Sequence, residues 1–271
     1  MIGVFDSGLG GLTVLKEFLK YLPEYDYLYL GDNARVPYGN KSQELIYKHS
    51  REAVDFLFSQ GAEIIIFACN SASSQALRKI QTEYLPKKYP GKKVLGVIRP
   101  LAEEVAKNEK VKKVGVIGTR ATINSHVYKE EIKALNPELE VIEKATPLLV
   151  PLIEENWAHK PEARKILKNY LRELKMKQVD ALILACTHYP YMFKEIREIM
   201  PKRSLVLNPG EVVAFSLKDY ISRHKELKLK TSKTPKRVFF TTDSNSRLKN
   251  LGERFLEENI KDIKEININD K

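Results

Sequence analysis

Hydrophobic positions along this chain follow two rhythms. Short runs rich in Val, Ile, Leu and Phe recur at 2–5, 27–30, 63–68, 93–98, 113–118, 139–143, 179–184, 204–207, 237–240 and 264–268, and each is shaped like a buried strand. Between most of them lie longer segments whose apolar residues return at helical spacing. Leu45, Tyr47, Val54, Phe56 and Leu57, in the segment from Ser42 to Gln60, are one example. Such alternation predicts βαβ units and mainly parallel sheets. Ten strands would make one wide open sheet, so two sheets and two domains are expected.

An internal echo supports the division. Glu63-Ile-Ile-Ile-Phe-Ala-Cys69-Asn70-Ser71 resembles Asp180-Ala-Leu-Ile-Leu-Ala-Cys186-Thr187-His188, and Ile2-Gly3-Val4-Phe5-Asp6-Ser7 resembles Val114-Gly115-Val116-Ile117-Gly118-Thr119. The offsets are 117 and 112 residues. Two related halves, or the chance similarity of buried strands, both account for it. If the halves face one another, the carboxyl edges of their sheets meet in one cleft, where ligands of parallel α/β sheets bind.

Composition narrows the function classes. The chain has 271 residues, 43% of them hydrophobic, enough for a sizeable core. Its longest apolar runs, Ile64 to Cys69 and Ala181 to Cys186, have six residues, far short of the roughly 18 of a membrane span. The first strand follows Met1 directly, which leaves no room for a signal peptide, so a cytoplasmic protein without a membrane partner is expected. The formal net charge of +11 raises the question of nucleic acid. The cations, 33 Lys and 13 Arg, are dispersed among Glu with only five Gln, a balance typical of life at high temperature. The densest basic stretch, Arg223 to Arg237, contains no aromatic residue, whereas groove-tracking proteins interleave the two. It reads as a solvated connector, and a nucleic-acid partner is not expected.

The chemistry lies at the strand ends. Asp6-Ser7-Gly8-Leu9-Gly10-Gly11 follows the first strand and opens a helix. A dinucleotide fingerprint would need a third glycine where Thr13 stands, and Asp6 would repel a pyrophosphate. Asp32, after the second strand, is the point in that reading's favour. A small polar ligand with a cationic group fits the turn better. Cys69 and Cys186, the only cysteines, each end a buried run. A buried cysteine is commonly a small hydrophobe, but two at matching positions suggest two weak acids on opposite sides of one carbon. At an approach of about 3.5 Å each, the sulfurs would stand roughly 7 Å apart, beyond disulfide reach. A free thiol is mostly protonated at neutral pH and needs assistance. His188 follows Cys186 by two residues, and Asp6 and Glu154 are candidate partners for the thiols. Glu154 and Glu155 sit side by side in an apolar stretch, and the sequence does not rank them. A zinc site from Cys69, Cys186, His188 and Asp6 is the competing reading, although no Cys pair has close metal-ligand spacing.

At these residues the chain resembles the glutamate racemases of the aspartate/glutamate racemase superfamily, to about residue 215. The resemblance rests on Asp6-Ser-Gly-Leu-Gly-Gly, Gly31-Asp-Asn-Ala-Arg-Val-Pro-Tyr38-Gly39, Ala68-Cys69-Asn70-Ser-Ala-Ser, Gly115-Val-Ile-Gly-Thr119-Arg-Ala-Thr122, Pro147 to Glu155 and Ala185-Cys186-Thr187-His188-Tyr-Pro. It implies two pseudo-symmetric αβ sandwich domains with the active site between them, residues 1–98 plus 208–271 and residues 99–207. It implies cofactor-independent proton transfer between L- and D-glutamate for peptidoglycan synthesis, with no metal and usually as a homodimer. Cys69 would exchange the α-proton of the D-enantiomer, assisted by Asp6. Cys186 would exchange that of the L-enantiomer, assisted by Glu154 and His188. Substrate contacts would come from Asp6, Ser7, Tyr38, Gly39, Asn70, Ser71, Thr119, Thr122, Thr187 and His188. Activity on aspartate or another amino acid is the close alternative; a protein that only captures an amino acid would need no thiols. The sequence departs from the family at Ser71 and Asn33, where Thr is usual, and at Arg99-Pro100, where Glu-Pro is common. The last lies near the domain crossover and bears on interface and dimer arrangement. Regulation by a cell-wall precursor goes with an N-terminal extension in the family, and its absence is expected here.

Overall fold

The computed structural model describes residues 1–268 and contains two wholly parallel sheets. The strands are β1 (Ile2–Asp6), β2 (Tyr27–Gly31), β3 (Ile64–Phe67), β4 (Lys93–Gly96), β5 (Lys113–Gly118), β6 (Glu140–Ala145), β7 (Ala181–Ala185), β8 (Leu205–Val206), β9 (Arg237–Thr241) and β10 (Ile263–Glu265). The first sheet has the order β10-β9-β2-β1-β3-β4 and the second β6-β5-β7-β8. All ten expected strands are present among the described residues, with altered ends. The run 93–98 stops at Gly96 because Ile98 opens the helix Ile98–Ala106. The run 204–207 shrinks to two residues at a sheet edge, and 264–268 becomes Ile263–Glu265.

Burial explains why the central strands read as continuous apolar runs. Helices cover both faces, and every residue of β1, β2, β3 and β7 is buried. Phe5 packs edge-on against Phe67, with ring centroids 5.1 Å apart, and each fully buried Phe contributes roughly 1.5–3 kcal/mol. The helix Gln43–Ser59 starts at Ser42, whose hydroxyl accepts from the Leu45 amide at 3.3 Å.

Both sheets place their strands alike. In each, the first strand is flanked by the second and third, and the third by the fourth, so β1 corresponds to β5 and β3 to β7. These are the pairs related by the sequence echo. Registers put Asp6 beside Gly31 and Phe5 beside Phe67, and put Gly118 beside both Ala145 and Ala185. The residues that follow, Ser7, Cys69, Thr119 and Cys186, therefore emerge at the carboxyl edges.

The chain passes to the second sheet after the helix Ile98–Ala106 and leaves it through the helix Pro209–Arg223. That helix returns against the helix Leu12–Tyr21, where Tyr21 donates to Glu211 at 2.6 Å and packs its ring, tilted by 43°, against that of Phe215 at 4.6 Å. The basic segment after it is less free than the sequence suggests. Leu227 and Leu229 pack on the core, Thr231 bridges to Tyr25, and the Ser232 amide donates to the Glu24 carbonyl. Its cations face outward between these anchors.

Candidate active site

The turn after β1 builds one wall. Asp6, 1% exposed, accepts from the Gly8 amide at 2.9 Å with one oxygen and from the Thr187 hydroxyl at 3.2 Å with the other. Burial raises its pKa, opposed by the charge of His188 and by hydrogen bonds. The turn needs glycine for closeness. A Cβ on Gly10 would stand 2.3 Å from Thr187 Oγ1 and 2.4 Å from His188 Nδ1, and one on Gly11 would stand 2.5 Å from the Asp6 Cβ. The Thr13 hydroxyl donates to the Thr187 carbonyl at 2.8 Å, tying this turn to the loop after β7.

Cys69 caps the helix Asn70–Gln75. Its sulfur accepts from the Ala72 amide at 3.4 Å, and its thiol donates to Ser7 Oγ at 3.3 Å. Burial, with a further push from the Asp6 carboxylate, takes the Cys69 pKa up to about 12, which holds it as a thiol at neutral pH. Asp6 makes no hydrogen bond to this sulfur among the described residues; it acts on Cys69 through charge.

Cys186 meets different surroundings. Its sulfur lies 4.0 Å from His188 Nδ1, while Nε2 is 3.0 Å from Glu154 Oε1. Burial alone would lower the histidine pKa; the Cys186 sulfur and the Glu154 carboxylate outweigh it and lift the value to about 10. An imidazolium can donate to both partners at once. Phe255 closes the back of the ring edge-on at 5.4 Å. The structure separates the adjacent glutamates: Glu154 reaches His188 and Glu155 is exposed.

Hydroxyls from both sheets line the rest. Ser71 Oγ lies 3.0 Å from Thr119 Oγ1 and 3.4 Å from Thr122 Oγ1, and the two threonine hydroxyls are 3.1 Å apart. Gly39 abuts Thr119, since a Cβ there would stand 2.8 Å from the Thr119 Cβ. Tyr38 is buried, and its hydroxyl is taken by Asp32, which also receives two bonds from Arg35 Nε and one from Thr242. What Tyr38 leaves for a ligand is backbone. Asn33 donates to the Thr241 hydroxyl at 2.8 Å. Arg99 is held by Glu103 and Glu131 on the surface, away from this cleft.

Hydrogen bonds thus connect Asp6 to Thr187, Ser7 to Cys69, Ser71 to Thr119 and Thr122, and Glu154 through His188 to Cys186. Thr13, Tyr128 and Phe255 were not among the expected site residues. In the sequence Thr13 only interrupts a glycine fingerprint, and Tyr128 and Phe255 carry no local signal. The zinc arrangement does not form. Among the described residues no three His, Cys, Asp or Glu side chains converge on one point, and His188 commits both nitrogens to protein partners. Likewise, Asp32 is spent on Arg35, Tyr38 and Thr242 rather than being available to a ribose.

A family model described as Asp/Glu/Hydantoin racemase matches residues 2–214. The chain belongs to the Asp/Glu/Hydantoin racemase family. Within this racemase family, it is 43% identical over 254 residues to the glutamate racemase of Sulfurihydrogenibium, covering 92% of each chain. Its fold is similar to that of the Francisella tularensis glutamate racemase crystallised with D-glutamate, with a TM-score of 0.89, 35% identity and coverage of 99% of this chain and 97% of the other. Isoform RacE1 of glutamate racemase from Bacillus anthracis is similar at a TM-score of 0.91 and 34% identity, over 98% and 97% of the two chains.

Proposed function

We propose that the cleft interconverts L- and D-glutamate by moving the α-proton between two cysteines. The carrying observation is the pair Cys69 and Cys186, buried at equivalent strand ends, the first beside Ser7 and the second beside His188. With L-glutamate bound, the Cys186 sulfur, as a thiolate beside imidazolium His188, removes the α-proton. The electron pair stays on the α-carbon, stabilised by a dry, hydrogen-bonded site. The Cys69 thiol then gives its proton to the opposite face. One C–H bond breaks, one forms, and no electron leaves the substrate. D-glutamate reverses these steps, with Cys69 as the base.

Each group near the reacting carbon has a role in this reading. Glu154 keeps His188 charged and oriented, and Asp6 offers a buried carboxylate to the substrate ammonium. Ser7, Asn70, Ser71, Thr119, Thr122 and Thr187 supply hydroxyl, amide and backbone donors, and Tyr38 and Gly39 supply backbone. Residues 1–98 with 208–271 and residues 99–207 form the two lobes around the cleft, the final three residues lying outside the described ones. A cytoplasmic homodimer supplying D-glutamate to peptidoglycan belongs to the same reading. Among the described residues no helix is long and apolar enough to cross a membrane.

Incubating the metal-free protein with L-glutamate in deuterium oxide tests this. Loss of optical rotation with one deuterium at the α-carbon is expected. Turnover without deuterium, or only after a metal is added, would sink the two-thiol reading. Glutamate and aspartate competing in one assay distinguish the alternative substrate. Unchanged turnover in Cys69→Ser and Cys186→Ser would count equally against the mechanism.

A further inference from the structure

Beside the reactive Cys69 stands a side chain whose orientation is set from the opposite lobe. Asn70 is the first residue of the helix Asn70–Gln75, 4% exposed. Its amide could turn either face to a ligand, since the two ends differ only in carrying an acceptor or a donor. Tyr128, fully buried in the helix Val127–Leu135 that follows β5, donates its hydroxyl to Asn70 Oδ1 at 2.6 Å. Burial pushes the phenol pKa far up, so it remains a donor at every working pH. Among the described residues this is the Tyr128 hydroxyl's sole hydrogen bond, and Asn70 Nδ2 has no protein partner. Flipping the amide would leave a buried phenolic proton without an acceptor, a costly loss. The bond therefore fixes which end of Asn70 remains free.

We propose that Tyr128 is a positioning residue that holds the Asn70 amide with its NH2 presented to an anionic group of the substrate. The inference rests on the glutamate reading of the cleft, in which that group is a carboxylate. Tyr128 itself touches no reacting atom. Because phenol and amide belong to opposite lobes, the donor points correctly only while the lobes are together. An amino-acid anion then meets an amide donor from the Cys69 side that has already been oriented by the Cys186 side.

The test measures KM and kcat for both enantiomers in wild type, Tyr128→Phe, Asn70→Ala and the double variant. Tyr128→Phe keeps the ring and removes one oxygen. Losing the orienting hydrogen bond is expected to raise KM about threefold to tenfold for each enantiomer, with kcat within twofold, the pattern of lost uniform binding. In the Asn70→Ala background, Tyr128→Phe should change nothing further. An unchanged KM in Tyr128→Phe, a loss confined to kcat, or full additivity with Asn70→Ala would overturn the assignment. Should Tyr128→Phe not fold, Asn70→Asp retains an acceptor for the phenol while turning an anion toward the substrate. Its KM should rise more than that of Asn70→Ala, and a smaller rise would refute the orientation. A wild-type chain inactive on glutamate would fail the functional reading itself, separately from these outcomes.

Discussion

Replacing Gly10 by alanine tests how the turn after β1 supports the chemistry of the opposite lobe. The new methyl would stand 2.3 Å from Thr187 Oγ1 and 2.4 Å from His188 Nδ1, against an ordinary contact of at least 3.4 Å. The loop after β7 must therefore move by 3.4 − 2.3, about 1 Å. It has little room to do so. Thr187 is held by Asp6 and Thr13, and His188 by Glu154 and Phe255. Overpacking of this kind costs about 1–3 kcal/mol, which for a chain of this size lowers the melting temperature by several degrees. The catalytic effect should be larger in proportion, because a misplacement of about 1 Å can cost about a hundredfold in rate. We expect kcat to fall by about that factor in both directions, because in the proposed mechanism each direction uses Cys186 once, as base or as acid. Circular dichroism and calorimetry on the same preparation would separate folding from chemistry. Gly115→Ala is the control, since its methyl would meet only leucine side chains at 3.3 Å. A Gly10→Ala enzyme within threefold of wild type, or one whose loss follows its unfolded fraction, would refute the reasoning.

Three further outcomes follow from the two thiol environments and their supports. Cys69 and Cys186 are equally hidden, so access does not rank them; with Cys69 raised from 9 to about 12, its thiolate is about a thousandfold scarcer than an ordinary thiol's. Iodoacetamide at pH 8 should therefore modify Cys186 first by at least about tenfold in peptide mapping, and earlier labelling of Cys69 would contradict the assignment. His188, raised from 6.5 to about 10, binds its proton more tightly in the folded state; the stabilisation is complete below pH 6.5 and is lost as pH rises through 10. Urea midpoints of the wild type should decline more steeply over that window than those of His188→Asn, and parallel profiles would contradict the shift. Thr13→Val removes the hydroxyl that holds the Thr187 carbonyl and should lower kcat about fivefold to tenfold with KM nearly unchanged; a KM effect alone would place Thr13 in binding instead.

The sheets were legible because parallel strands buried on both faces leave continuous apolar runs, such as Ile64 to Phe67, that few other elements imitate. Their ends were less so: nothing before Ile98 marks where β4 yields to a helix. The expected site residues stand on motifs that immediately follow strands, so topology gathers them without detailed packing. The supports were hidden because each depends on the other lobe. Tyr128 meets Asn70 across 58 residues of sequence, and Thr13 meets Thr187 across 174. Phe255 lies on the helix Asn245–Leu256, beyond the last family motif. Tyr38 was legible as a site residue, but the network that takes its hydroxyl was not, since Asp32, Arg35, Glu52 and Thr242 meet only once β2, β9 and the helix Gln43–Ser59 are assembled.

The pseudo-symmetry also accounts for why two similar cysteines need not behave alike. Superimposing the halves by their sequence offsets puts Thr119 at the place of Ser7, and His188 at the place of Ser71. The turn after the first strand of each lobe reaches across to the segment after the cysteine of the other: Asp6 accepts from Thr187, and Thr119 meets Ser71. Both crossings serve the same structural end, closing the cleft over the third strands. Their chemistry differs, because one lobe contributes a carboxylate at Asp6 where the other has Gly118, and a histidine at 188 where the other has Ser71. Burial, with the Asp6 carboxylate adding to it, raises the pKa of Cys69, while the histidine beside Cys186 also reaches Glu154. A symmetric scaffold thus gives its two sulfurs different partners, a serine hydroxyl for Cys69 and an imidazole for Cys186. In the proposed mechanism a proton passes across the substrate in a single direction per turnover, which leaves the thiols set for the opposite enantiomer until they exchange protons with solvent.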